Sequence, residues 1–248
     1  MSTDAEISAH WGRGGLVDAI LAALEAAGLD PDNLTTDELA PLDHLHGDGV
    51  DATRKLLDVL TPGPDTHLLD IGSGIGGPAR LAAFAYGAQV TGIDLTQEFC
   101  DVAVMLTERV GLSDRVTIRQ ASALDLPFDD ESFDGAFSQN VSMNIEDKEA
   151  FYAEAFRVVR PGGLFVAAEY AEGPGGAPVF PVPWALVPEN SHLLKPDDLR
   201  RVIEGAGFEI VDFTDQSDAT VESYELAVKS SPPMARRRSV PGCCWVTM

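Results

Sequence analysis

Residues 68–77 read Leu-Leu-Asp-Ile-Gly-Ser-Gly-Ile-Gly-Gly, and no other stretch narrows the possible folds as much. An apolar run of strand length, 67–71, enters a cluster of glycines, and 78–86 continues with helical character. Glycines belong where a backbone turns sharply or approaches a ligand closely. Gly72, Gly74 and Gly77 satisfy the spacing G-x-G-x-x-G, and Asp94 stands 22 residues beyond Gly72, where an acid accepts hydrogen bonds from ribose hydroxyls. Taken alone, this pattern also suits a nicotinamide dinucleotide.

The alternation continues along the chain. Strands are expected at 89–93, 116–120, 133–138, 164–168 and 208–213, and helices at 98–110, 147–159 and 195–206. Strand–helix alternation with short connections predicts an α/β fold around a doubly wound, mostly parallel sheet. Ahead of it, Leu16, Ile20, Leu21 and Leu24 mark one helix and 51–60 a second, with a loop over 31–41 between them. The expected organisation is an N-terminal helical cap (1–62), a core (63–215) that includes a Gly/Pro-rich lid segment (172–194), and an atypical tail (216–248). The Pro161-Gly162-Gly163 run is expected to be a turn ahead of the fifth strand.

Formal net charge is −23, so the surface repels phosphate backbones and nucleic-acid partners are disfavoured. No stretch approaches the about 20 apolar residues of a membrane span, and the polar N-terminus lacks the pattern of a signal peptide. A cytoplasmic protein without membrane contact is expected. The three cysteines have no ligand spacing, so neither a disulfide framework nor a metal site is expected. Oligomeric state leaves no mark on the sequence.

Asp70 bears on the ligand. A carboxylate at the end of an apolar strand is costly to bury unless a cation or several donors meet it. A pyrophosphate beside it would add like-charge repulsion. A nucleoside that carries an ammonium group and no phosphate fits better; the plainer reading is that Asp70 only caps the glycine turn.

Four stretches, LLDIGSGIGGPAR (68–80), VTGIDLT (90–96), LDLPFDDESFDGAFSQN (124–140) and RVVRPGGLF (157–165), resemble the class I S-adenosylmethionine-dependent methyltransferases. Within that family the resemblance is to the small-molecule group of ubiquinone/menaquinone-type and sarcosine/dimethylglycine-type enzymes, and it covers 43–215. It implies a Rossmann-like fold, S-adenosyl-L-methionine as cofactor, and methyl transfer to oxygen or nitrogen of a small-molecule substrate. By position, Asp70, Gly72, Ser73, Gly74 and Gly76 would line the methionine and ribose portion. Asp94 would hold the ribose diol, Leu95 and Thr96 would border the adenine, and Ala121, Ser122 and Ala123 would contact its ring. Gln139 would stand at the methyl-donor side. The other readings are a nicotinamide-dependent oxidoreductase and a non-catalytic member of the same fold.

Relatives often carry Asp at Ser122, and sarcosine-type relatives carry Asp and His at the positions of Asn140 and Asn144. Asn cannot act as a general base. A hydroxyl acceptor needs one, and His46 and His192 are the candidates beside Asn144. Trp11, Phe180 and Trp184 are candidates for an apolar pocket wall. The family normally ends in an antiparallel strand pair. The final ARRRSVPGCCWVTM has no apolar periodicity, so the seventh strand is expected to be missing or abnormal, as in a tail translated out of frame.

Overall fold

The computed structural model describes residues 11–12, 14–44, 49–222 and 243–248. Three helices come first: α1 (Leu16–Ala26), α2 (Thr36–Asp43) and α3 (Gly49–Leu60). The alternating core follows as β1 (His67–Ile71), α4 (Gly77–Tyr86), β2 (Gln89–Asp94), α5 (Gln97–Arg109), β3 (Val116–Gln120), β4 (Phe133–Gln139), α6 (Lys148–Val158), β5 (Val159–Tyr170), α7 (Pro196–Gly205), β6 (Asp212–Asp215) and β7 (Cys243–Thr247).

One seven-stranded sheet has the order β3-β2-β1-β4-β5-β7-β6. β1 pairs in parallel with both β2 and β4, so strand order reverses direction at β1/β4, where α/β sheets open a crevice beyond their carboxyl ends. Apolar side chains alternate between two clusters, one per sheet face. Leu69, Ile71, Ala136 and Phe165 pack with Phe151 of α6 and Ile203 of α7. Leu68, Val90, Phe137 and Val166 pack with Leu57 of α3 and Ala82 of α4. Covering both faces is what a parallel sheet requires. A third cluster, with Ile20, Leu24, Leu39, Val102 and Leu106, seats α1 and α2 on α5 and so hangs the cap over the sheet's carboxyl edge.

Four expectations need correction. The stretch 31–41 is not all loop. Thr35 accepts from the Glu38 amide while Glu38 accepts from the Thr35 amide, a capping box that starts α2 despite Pro41 inside it. The Pro161-Gly162-Gly163 run lies inside β5, where the pairing shifts between Phe133↔Val159 and Gly135↔Leu164, so it is a bulge in the strand. The seventh strand is present. Cys243–Thr247 inserts antiparallel between β5 and β6, and Met248 exchanges backbone hydrogen bonds with Phe165 (2.7 and 2.8 Å). Five residues after a basic run give too short a pattern to announce a strand. The unpaired edge of β5 supplies the missing information. The sixth strand is also shorter and later than expected, at Asp212–Asp215.

Candidate active site

A cavity of about 720 Å³ opens at the carboxyl edge of the sheet, within the about 300–1,000 Å³ usual for small-molecule sites. Asp70, Gly72, Ser73, Gly74, Asp94, Leu95, Thr96, Ala121, Ser122, Ala123, Gln139 and Asn144 all line it. Gly76 does not. A Cβ there would lie 2.8 Å from Arg80 Nη1, so the bare α-carbon makes room for that guanidinium instead of for a ligand. His192 stands off the lining. His46 lies outside the described residues.

The glycine turn is pinned to β2. The amides of Gly72 and Ser73 both donate to Ile93 O (2.8 Å each). Asp94 Oδ2 accepts from the Gly74 amide (2.9 Å) and Oδ1 from the Thr96 amide (2.8 Å). The Thr96 hydroxyl and the Leu95 amide also face this carboxylate. Burial raises its pKa, and those amides oppose the rise.

Asp70 is in the harsher position. It is 1% exposed, and its Oδ2 is buried without a hydrogen-bond partner. Burial first, and the Asp94 charge second, push its pKa well above the ordinary carboxylate value, while the Ala79 amide and Arg80 offset this only in part. Two adjoining carboxylates on the wall of one cavity form a site that a cation would relieve.

Gly72 has a second constraint. Its φ is +78°, and a Cβ would lie 2.3 Å from Cγ2 of Val141. Val141 thereby closes the loop after β4 down onto the turn. Gly72→Ala is expected to lower stability by about 2–3 kcal/mol, from the left-handed backbone and the overpacking together. Gly74→Ala meets nothing within 4 Å, so its cost is the backbone alone, about 1–2 kcal/mol. Urea unfolding of both variants checks the order.

The loop after β4 is held from beneath by groups that the sequence did not single out. Glu169, fully buried on β5, accepts from Ser138 Oγ (2.9 Å) and from the amides of Val141 (3.1 Å) and Ser142 (2.9 Å). Lys148 Nζ donates to the carbonyls of Ser142 and Ile145, and burial lowers its pKa to about 8 against the opposing pull of Glu169. Asn140 takes a left-handed φ of +60°, which Asn tolerates.

Asn144 Nδ2 donates to the carbonyls of Trp184 (2.7 Å) and Asn190 (3.2 Å), tying the lid segment to this loop. Trp184 stacks on Tyr170 at 4.9 Å and packs with Phe180, so neither Trp184 nor Phe180 reaches the cavity, whereas Trp11 does. The His192 amide bonds Met143 O (2.8 Å), its Nε2 is buried without a partner, and burial lowers its pKa.

A further contact ties the cap to the site. Thr53 Oγ1 donates to Gln139 Oε1 (3.1 Å) and lies 3.1 Å from His44 Nδ1. Thr53 thus links His44 on the cap to Gln139 at the end of β4. Ser122 Oγ accepts from the Leu124 amide (3.3 Å). Among the described residues, no helix is long and apolar enough to cross a membrane.

Residues 69–167 match the model of a methyltransferase domain. The chain is 35% identical over 165 residues to the O-methyltransferase cnsE of Penicillium expansum, covering 66% of this chain and 59% of that protein. It is 28% identical over 182 residues to a sarcosine/dimethylglycine N-methyltransferase of Halorhodospira halochloris, covering 70% and 64%. The chain thus spans under two thirds of either relative. Among solved structures, the geranyl diphosphate C-methyltransferase of Streptomyces coelicolor A3(2), in complex with Mg2+, geranyl diphosphate and S-adenosyl-L-homocysteine, has the same fold: TM-score 0.69, 21% identity, 80% of this chain and 77% of that one. The sheet order, the cavity at its carboxyl edge and the matched region agree: residues 69–167 are a methyltransferase domain, set in the Rossmann-like fold of the S-adenosylmethionine-dependent methyltransferases.

Proposed function

We propose that this chain transfers a methyl group from S-adenosyl-L-methionine to a small-molecule acceptor in the cavity described above. The observation that carries the reading is Asp70, a fully buried carboxylate with an unpartnered oxygen beside a second carboxylate. An ammonium group meets that need, and a diphosphate would aggravate it. The residues present fit the cofactor. Gly72 and Gly74 leave the turn open to close approach, Asp94 lines the cavity at the end of β2 where a ribose diol would stand, and Leu95, Thr96, Ala121, Ser122 and Ala123 border a slot for a flat base.

S-adenosyl-L-methionine supplies an activated methyl group. When bound, it would give its methyl carbon to the acceptor's lone pair, and the electrons of the sulfur–methyl bond would stay with sulfur. The chain's part is alignment and exclusion of water. Val141 seals against the glycine turn, Gln139 is oriented by Thr53 and His44, and Asn144 fixes the lid segment. An amine that arrives unprotonated needs positioning only. For a hydroxyl acceptor the candidate bases are His46 and His192, because Asn144 holds no basic group. The acidic surface keeps nucleic acid away, and a chain whose Cys100 is a free, buried thiol suits the cytoplasm.

Calorimetry with S-adenosylhomocysteine and with NAD, in parallel, tests the reading. Saturable binding of S-adenosylhomocysteine alone is expected. Binding of NAD alone would overturn it in favour of a nicotinamide-dependent oxidoreductase.

A further inference from the structure

Resting on the methyl-transfer reading, we propose that the acceptor side of the cavity takes an apolar molecule of zero or positive charge and rejects anions. Two features of the lining carry this. Trp11, Leu16, Ile20, Leu42 and Phe99, from the cap and α5, form an apolar wall. The charged members of the lining are Asp43, Asp70, Asp94, Glu146 and Asp147, and among the described residues the lining holds no Lys, Arg or His.

Among the described residues, two cations that neighbour the lining in sequence or by contact are already committed. Arg80 is 1% exposed and divides its donors between the Asp43 carboxylate and the carbonyls of Ile75 and Ala103. Lys148 is buried, with Nζ turned to the carbonyls of Ser142 and Ile145.

An anionic acceptor would leave water for a cleft whose described wall offers it no cation and where Glu146 and Asp147 repel it, and repulsion strengthens as the local dielectric falls. Rejection by an uncompensated like charge is a usual source of specificity. Acceptors bearing carboxylate or phosphate groups are therefore disfavoured. Neutral phenols, apolar alcohols and amines whose reacting nitrogen is unprotonated, with or without a second cationic group, are favoured. Glu146 is the adjustable element. It lies exposed at the rim, whereas Asp147 is engaged in capping α6 through the Ala150 amide (2.9 Å).

The test uses two dyes of one ring system: N-phenyl-1-naphthylamine, which is neutral, and 8-anilino-1-naphthalenesulfonate, which is anionic. Each is titrated into the full chain with and without saturating S-adenosylhomocysteine. The neutral dye is expected to bind saturably and the sulfonate about tenfold more weakly, a difference of about 1.4 kcal/mol. Glu146→Lys should narrow that gap severalfold, and Ile20→Trp, which fills the apolar wall, should abolish binding of the neutral dye. Equal or tighter binding of the sulfonate, no binding of the neutral dye, or binding that survives Ile20→Trp would each overturn the proposal. If S-adenosylhomocysteine fails to bind, the methyl-transfer reading falls, while the dye ratio measured without it still decides the charge rule.

Discussion

Asp70→Asn is expected to weaken S-adenosylhomocysteine binding by roughly 10- to 150-fold, the about 1.5–3 kcal/mol of a hydrogen bond to a charged partner. The same substitution is expected to stabilise the ligand-free protein. Asn has nearly the shape of Asp, so packing survives, while a fully buried charge beside Asp94 is removed. The pH dependence separates this from general damage. The folded-state pKa of Asp70 is raised above the ordinary 3.8. Its contribution to stability is therefore complete below that value and is lost as pH rises through the raised one. The variant should match the parent near pH 4, where Asp70 is protonated in the fold, and melt at a higher temperature at pH 8. Calorimetric titration and thermal melts at both pH values read the two effects. A variant that binds within threefold of the parent, or that shows no pH-dependent gain, would remove Asp70 from the centre of the site. Stability exchanged for function in this way is common at ligand sites.

Arg80→Ala carries the largest expected loss of stability, about 3–5 kcal/mol, typical of removing one partner of a buried ion pair. Arg80 and Asp43 are 1% and 5% exposed, and the guanidinium also reaches Ile75 O (2.8 Å) and Thr107 Oγ1 (3.4 Å). One side chain thus joins α2, the glycine turn and α5. Truncation strands the Asp43 carboxylate, whose pKa burial already raises. Asp43→Ala in the same chain should recover part of the loss, because the stranded charge is then gone. Urea unfolding of the two single variants and the double variant measures the coupling. Additive losses would mean that the two groups do not act as a pair. Arg80→Lys should recover little, since an ammonium cannot reproduce the planar fork.

Much of the core was legible because the signals are local. The runs at 67–71 and 116–120 are strands with those same ends, since a continuous or alternating apolar pattern needs no knowledge of partners. The glycine turn declares its geometry through residues that alone tolerate it, and Asp70 is informative through the cost of burying it. Thr35 and Glu38 did signal the start of α2, and Pro41 hid it.

What the sequence determined by itself is the strand and helix order from β1 to β5, the position of the glycine turn, and the polarity of the chain as a whole. Tertiary structure decided the rest, through contacts between residues far apart in the chain. Arg80 meets Asp43 across 37 positions, Glu169 meets Ser138 across 31, Asn144 meets the Trp184 carbonyl across 40, and Thr53 meets Gln139 across 86. None of these pairs leaves a periodicity, because a hydrogen bond between distant segments constrains two residues and no pattern between them. The last strand is the sharpest case. Cys243–Thr247 becomes a strand only because β5 and β6 leave open backbone on either side of it, and that vacancy exists only once the sheet has assembled.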